Sequence, residues 1–288
     1  MPTININSTL YFENYDKIEG TKGATTMTLT TIIFDLDDTL LWDQKSVKTA
    51  FEKTCEYAAT IVDVAAEKLE DAVRIEARKI YEGYGTYDYT VLIGINPFEG
   101  LWGTFDDPTD EFQQMRELMP TYRVAAWTNG LRALGIENAE LGEELGERFV
   151  EERKKHPFIY EDTYEVLDQL KGNYKLVLLT NGAPSLQNLK LEITPEIAPY
   201  FDRIFISGDF GRGKPDASIF EHVLKELAIT ADEAIMVGDN LMTDILGSSR
   251  VNMRNVWINR ENKARIAEVQ PSYEVTSLTE LLTLVKTL

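Results

Sequence analysis

Cysteine, histidine and long apolar runs are scarce in this chain, and each scarcity excludes a class of chemistry. Cys55 is the only cysteine among 288 residues, so no internal disulfide can form. It stands in helical register with Phe51 and Ala58, a core position rather than a nucleophile's. The two histidines, His156 and His222, are far apart and match no metal-ligand spacing, which sets histidine-based zinc chemistry aside. No uninterrupted apolar stretch reaches membrane-spanning length, and the amino terminus has neither the basic start nor the apolar run of a secretory signal. The expected setting is therefore the cytoplasm, with no membrane partner. Basic residues are outnumbered, 29 Lys and Arg against 48 Asp and Glu, for a formal net charge of −19. With no basic run to offset that balance, a nucleic-acid surface is not expected.

What is present is ample material for a core: 43% hydrophobic and 10% aromatic residues, enough for one large or two smaller domains. Residues 1 to 28 are polar and turn-rich, and read as a loosely attached extension. "TTMTLTT" leaves Met27 as an alternative start. "TIIFDL" from Thr31 is a short β-branched run of the kind that forms a buried central strand. A long helical stretch is expected from about Ser46 to Glu82, with Val47, Ala50, Phe51, Thr54, Ala58 and Ile61 at helical spacing. An irregular aromatic and Gly-rich segment follows, holding Tyr81, Tyr84, Tyr87, Tyr89, Phe98 and Trp102, and then more helix to about Lys155. These aromatics fit a substrate lip or internal packing, and none is assigned as a binding residue.

Beyond His156-Pro157 strand and helix alternate. "YKLVLLT", "RIFIS", "AIMVGD", "NVWIN" and "YEVTS" read as strands, separated by helices such as "EDTYEVLDQLKG", stopped by Gly172, and "DASIFEHVLKEL", capped by Asp216. Ser277 and Glu280 have the spacing of a capping box on the last helix. Alternation of this kind predicts an α/β fold with a parallel sheet covered by helices on both faces. Residues 29–44 and 158–288 would build that core, and 45–157 a mainly helical insert.

The acidic run in "IIFDLDDTLL" needs a physical reason, because Asp35, Asp37 and Asp38 crowd the end of an apolar strand. Carboxylates that close raise each other's pKa and are costly to bury without a partner. In open α/β sheets ligands bind beyond the carboxyl ends of the strands. There this chain places Asp35-Leu36-Asp37 with Thr39, then Thr180-Asn181-Gly182, then Lys214 in "GDFGRGKPD", then Gly238-Asp239-Asn240 with Asp244. Each feature alone has an ordinary explanation, a solvated turn or a helix cap. Together they gather carboxylates, a hydroxyl and a lysine on one rim.

"DLDDT", "LLTNG", the lysine of "GKPD" and "GDNLMTD", in that order, resemble the four motifs of the haloacid dehalogenase superfamily on its phosphatase side, over roughly residues 31–45 and 160–288. The resemblance implies a Rossmann-like core with an inserted helical cap. It implies Asp35 as nucleophile forming an aspartyl-phosphate, and Asp37 as acid and then base. It implies Thr180, Asn181 and Lys214 around the phosphate. Mg²⁺ would bind Asp35, the main-chain carbonyl of Asp37, Asp239 and, directly or through water, Asp244. Asp38, between two motif positions, is expected to act mainly through its main-chain N–H. A second "TNG" at Thr128 to Gly130 lies in helical surroundings, so Thr180 is the better choice.

From Asp35 to Thr180 the chain runs 145 positions, against 34 from Thr180 to Lys214, so the cap sits after the first motif. The function implied is hydrolysis of a small phosphorylated metabolite: a nucleoside monophosphate, a sugar phosphate or phosphoserine. The alternatives are a phosphomutase, a haloacid dehalogenase, and a metabolite-binding protein that kept the fold without the chemistry. Nothing in the sequence chooses between monomer and homodimer.

Overall fold

The computed structural model describes residues 28–288. The expected extension over 1 to 28 and the alternative start at Met27 therefore lie, but for Thr28, outside the described residues. Six strands form one parallel sheet: β1 (Thr31–Phe34), β2 (Lys175–Thr180), β3 (Arg203–Ile206), β4 (Ala234–Gly238), β5 (Arg254–Ile258) and β6 (Tyr273–Val275). The strand order is β3-β2-β1-β4-β5-β6. The chain builds outward from β1 to β3 and then returns to lay β4 on the other side of β1. That reversal opens a crevice at the carboxyl ends of β1 and β4.

Alternation along the central strands explains the layers. Ile32 and Phe34 face one way, into a cluster with Leu176, Leu178, Ile235 and Val237. Helices α7 (Thr163–Leu170) and α12 (Leu278–Val285) cover this face with Val166, Leu167, Leu278 and Leu281. Ile33 faces the other way, with Val177, Leu179 and Met236, under Ile219, Phe220 and Val223 of α10 (Ala217–Leu227). A sheet buried on both faces needs apolar residues at every position, and all four residues of β1 are buried. Asp216 caps α10 through Ser218 N at 2.9 Å, and Gly172 turns in the left-handed region just past α7, both as expected. The capping box on α12 is only half made. Ser277 accepts from Glu280 N, but the Glu280 carboxylate reaches Thr276 instead.

Between β1 and β2 stand α1 (Asp43–Ala59), α2 (Ala66–Glu82), α3 (Tyr87–Ile93), α4 (Pro97–Gly100), α5 (Asp110–Ala133) and α6 (Ala139–Lys155). They share a separate core of Phe51, Val73, Trp102, Tyr122, Trp127 and Phe149. The helix expected as continuous from Ser46 to Glu82 is broken at Thr60–Ala65. The break lets Phe51 of α1 and Leu69 and Val73 of α2 share one cluster. Conversely α5 runs unbroken through Pro120, which costs a helix roughly 3 kcal/mol in isolation. Burial of Met119, Tyr122, Ala126 and Trp127 along that same helix offsets the cost. The second "TNG" lies inside α5, where Gly130 permits close approach to Val73 of α2. Cys55 is buried in this core, and burial pushes its thiol pKa up, as befits an inert packing residue. The remaining helices are α8 (Pro184–Glu192), α9 (Ser207–Phe210) and α11 (Leu246–Arg250), the last preceded by a wide turn over Leu241–Ile245.

Candidate active site

The ends of β1, β2 and β4, with the loop that follows β3, deliver polar residues to one cavity of about 680 Å³, lined among others by Asp35, Asp37, Asp38, Thr180, Asn181, Lys214 and Asp239. Asp35 follows β1 directly and is held in place by its N–H to Val237 O, 2.9 Å. Lys214, 4% exposed, reaches Asp35 Oδ1 at 2.6 Å, Asp244 Oδ1 at 2.7 Å and Leu179 O at 2.8 Å. The contacts to Asp35 and Leu179 are hydrogen bonds, and that to Asp244 is an ion pair. Burial opposes the charge on Lys214, but the carboxylates of Asp244 and Asp35 together outweigh it and hold the pKa above the usual lysine value.

Carboxylate oxygens of Asp35, Asp239 and Asp244 lie within 4.8 Å of one another. Burial is the main cause that raises Asp35 to about 6, with Lys214 pulling the other way. Burial also drives Asp239 up to about 9, helped by the charges of Asp244 and Asp35. Three clustered carboxylates with only one lysine among them are a hard oxygen donor set lacking positive charge, and Mg²⁺ fits that chemistry. Asp244, fully buried, is the most engaged of the three. One oxygen meets Lys214, and the other accepts Asn240 N at 3.1 Å. Gly238 leaves room for it: a Cβ there would lie 2.6 Å from Asp244 Cβ.

Asp37 is placed differently. Its Oδ2 accepts from Lys190 Nζ at 2.8 Å and Gln187 Nε2 at 3.1 Å, while Oδ1 is buried and has no partner. Burial raises its pKa despite Lys190, the direction a proton donor needs. Thr180 Oγ1 accepts from the same Gln187 amide at 2.6 Å. Asn181 lines the cavity, and its side chain is paired both ways with the Lys214 main chain, 2.8 Å each, and so anchors the loop that carries the lysine. Asp38 also departs from expectation. It sits at φ 58, and its carboxylate accepts the Gln44 N–H at 2.9 Å, satisfying an orphan donor in the first turn of α1. Burial pushes it up to about 7.

The insert closes one side of the cavity. Leu92 O and Ile93 O accept from Gly213 N and Ser207 Oγ at 2.9 and 2.6 Å, and Gly94 packs so close to Asn181 that no Cβ would fit. Val91, Gly94, Asn96 and Glu99 line the cavity from this side. Of the two readings left open for the aromatic segment, internal packing is the one its side chains follow. The segment borders the site, but Tyr81, Tyr84, Tyr87, Tyr89, Phe98 and Trp102 pack inside the insert. Gln187, Lys190 and Glu99 were not singled out from sequence. For α8 a signal existed: Gln187 and Lys190 lie three residues apart on a helix that starts just after "LLTNG". For Glu99, in an irregular stretch of the insert, there was none.

A model of the haloacid dehalogenase-like hydrolases matches residues 29–252. The chain belongs to this family. Among curated proteins, the phosphoserine phosphatase of Thermus thermophilus is 30% identical over 258 residues, 87% of this chain and 96% of that protein. The N-acylneuraminate-9-phosphatase of Mus musculus is 32% identical over 170 residues, 58% of this chain and 68% of that one. Among solved structures, the HAD-hydrolase YfnB of Bacillus subtilis bound to magnesium superposes with a TM-score of 0.61 at 21% identity, covering 90% of this chain and 99% of its own. That likeness extends over the inserted helices as well as the sheet, so α1 to α6 are the cap of the family. Among the described residues no helix is long and apolar enough to cross a membrane.

Proposed function

We propose that this hydrolase is a Mg²⁺-dependent phosphomonoesterase acting on a small phosphorylated metabolite in the cytoplasm. The observation that carries the reading is the buried set in which Lys214 lies 2.6 Å from Asp35, with Asp239 and Asp244 close enough to share a cation with it. A dianionic phosphate approaching a lone carboxylate is repelled, by about 4 kcal/mol for each pair of unit charges at 4 Å in a partly dehydrated site. Lys214 offsets that repulsion, and Asp35, Asp239, Asp244 and the Asp37 carbonyl are the residues that would hold Mg²⁺. When bound, the ion supplies the rest of the positive charge facing the phosphate.

In this reading Asp35 attacks phosphorus and the bond to the leaving oxygen breaks, giving an aspartyl-phosphate. Asp37 gives its proton to the leaving oxygen and then takes one from the water that attacks the intermediate. Thr180 and the Lys214 charge hold the phosphoryl oxygens. The cap, proposed to span 45–157 between core segments 29–44 and 158–288, shuts the cavity from water and selects the leaving group. The named relatives act on phosphoserine and on an N-acylneuraminate 9-phosphate, which supports a small monoester as the substrate class. A dehalogenase reading is less well supported, since it needs neither an acid at Asp37 nor a carboxylate cluster.

Hydrolysis of p-nitrophenyl phosphate by the wild type and Asp35→Asn, each with Mg²⁺ or EDTA, tests the reading. The expected result is activity that requires Mg²⁺ and vanishes in the variant, followed by turnover of one member of a panel of natural monoesters. Activity that survives both EDTA and Asp35→Asn would overturn the assignment.

A further inference from the structure

Lys190 is a buried ammonium, 2% exposed, lying between two carboxylates from different parts of the fold. It donates to Asp37 Oδ2 at 2.8 Å and to Glu99 Oε1 at 3.0 Å. A buried ion pair gives little net stability over apolar residues of like volume, because each ion loses several kcal/mol of hydration. Its best-attested use is to fix geometry. Here the geometry fixed is that of Asp37. Lys190 and Gln187, on one face of α8, take Oδ2 and leave the buried Oδ1 without a partner.

The insert in turn fixes Lys190. Glu99 Oε2 accepts Asn96 N at 3.0 Å in a capping box on α4, so its carboxylate is oriented by the turn that bears it. Asp107, also from the insert, accepts Ser185 N at 2.8 Å and Ser185 Oγ at 2.6 Å at the start of α8. The helix that holds Asp37 is therefore tied to the insert at both Ser185 and Lys190.

Resting on the phosphatase reading above, we propose that Lys190 is a positioning residue for the acid step, and that Glu99 makes that positioning depend on a seated cap. Leaving-group dependence separates this role from a merely structural one, since a nitrophenolate departs without a proton and a phenolate gains from one. The probes are p-nitrophenyl phosphate and phenyl phosphate, compared by kcat/KM, which reports transfer to Asp35 and excludes the later water step. Lys190→Met should lower kcat/KM for phenyl phosphate about tenfold more than for p-nitrophenyl phosphate. Glu99→Met should show the same bias at smaller size.

The double variant Glu99→Met/Lys190→Met removes the Glu99 carboxylate that Lys190→Met alone leaves without its ammonium. It should regain much of the lost melting temperature while keeping the bias against phenyl phosphate. Equal losses on both substrates, or a double variant whose substrate ratio returns to that of the wild type, would overturn the proposal. Wild-type activity abolished by Asp35→Asn, together with an unchanged ratio in Lys190→Met, sinks this proposal and leaves the phosphatase reading standing. A wild type inactive on every monoester sinks both.

Discussion

Asp35, Asp37 and Asp38 follow one strand within four positions, yet their surroundings give them three different tasks. Asp35 meets a lysine and two more carboxylates, Asp37 is held by one oxygen and left without a partner at the other, and Asp38 accepts an N–H in the first turn of a helix. Their order in the sequence carries the first two tasks, and the third came only from the turn at φ 58. Gly238 matters at the same scale, because the Asp244 carboxylate fills the space of its missing side chain. Gly238→Ala should force Asp244 away from Lys214, costing about 1–3 kcal/mol of stability. It should also raise the Mg²⁺ concentration needed for half-maximal activity. Urea unfolding and a Mg²⁺ titration of p-nitrophenyl phosphate hydrolysis read the two effects separately.

Among the helices, the core ones lie where their periodicity and caps place them, while those of the insert obey packing more than local signals. The Pro120 ring did not end α5, and the apolar run after Ala59 did not continue α1. Both outcomes depend on helix neighbours distant in sequence. Gly142 of α6 is one such contact point, where an added Cβ would come within 2.9 Å of the Thr128 main chain in α5. Backbone cannot yield as a flexible side chain can. Gly142→Ala is expected to destabilise the fold by about 1–3 kcal/mol while leaving the folded fraction active. Thermal melts and activity per folded molecule check the two halves of that statement.

For the molecule as a whole, the acidic cluster links stability to pH and to cations. Asp35 at about 6, Asp38 at about 7 and Asp239 at about 9 all bind protons more tightly in the fold than in the unfolded chain. Between about pH 4 and those values the folded state carries the extra protons, so stability falls as pH rises through the window. In EDTA the melting temperature should drop from pH 5 to pH 9. Added Mg²⁺ should raise it, and by more at pH 9 than at pH 5, because the ion needs the deprotonated carboxylates. A melting temperature that is independent of pH in EDTA, or a Mg²⁺ shift larger at pH 5, would contradict this account.

Much of the molecule was legible without coordinates because its information is local. A strand buried on both faces must be apolar throughout, a parallel sheet puts its ligands at the carboxyl ends, and three strand ends and the loop beyond a fourth carry Asp35, Thr180, Asp239 and Lys214. The sequence by itself thus determined the α/β class, the place of the insert and the meeting of Asp35, Thr180, Lys214 and Asp239 in the cavity, but not the lining that the insert adds through Asn96 and Glu99. Tertiary structure decided how they are used: that the Asn181 side chain anchors Lys214, that the aromatics of the insert pack among themselves, and that Lys190 stands between Asp37 and Glu99. Those contacts join segments far apart in the chain. A carboxylate's partner is set by what folding brings within 3 Å of it, which no local pattern records.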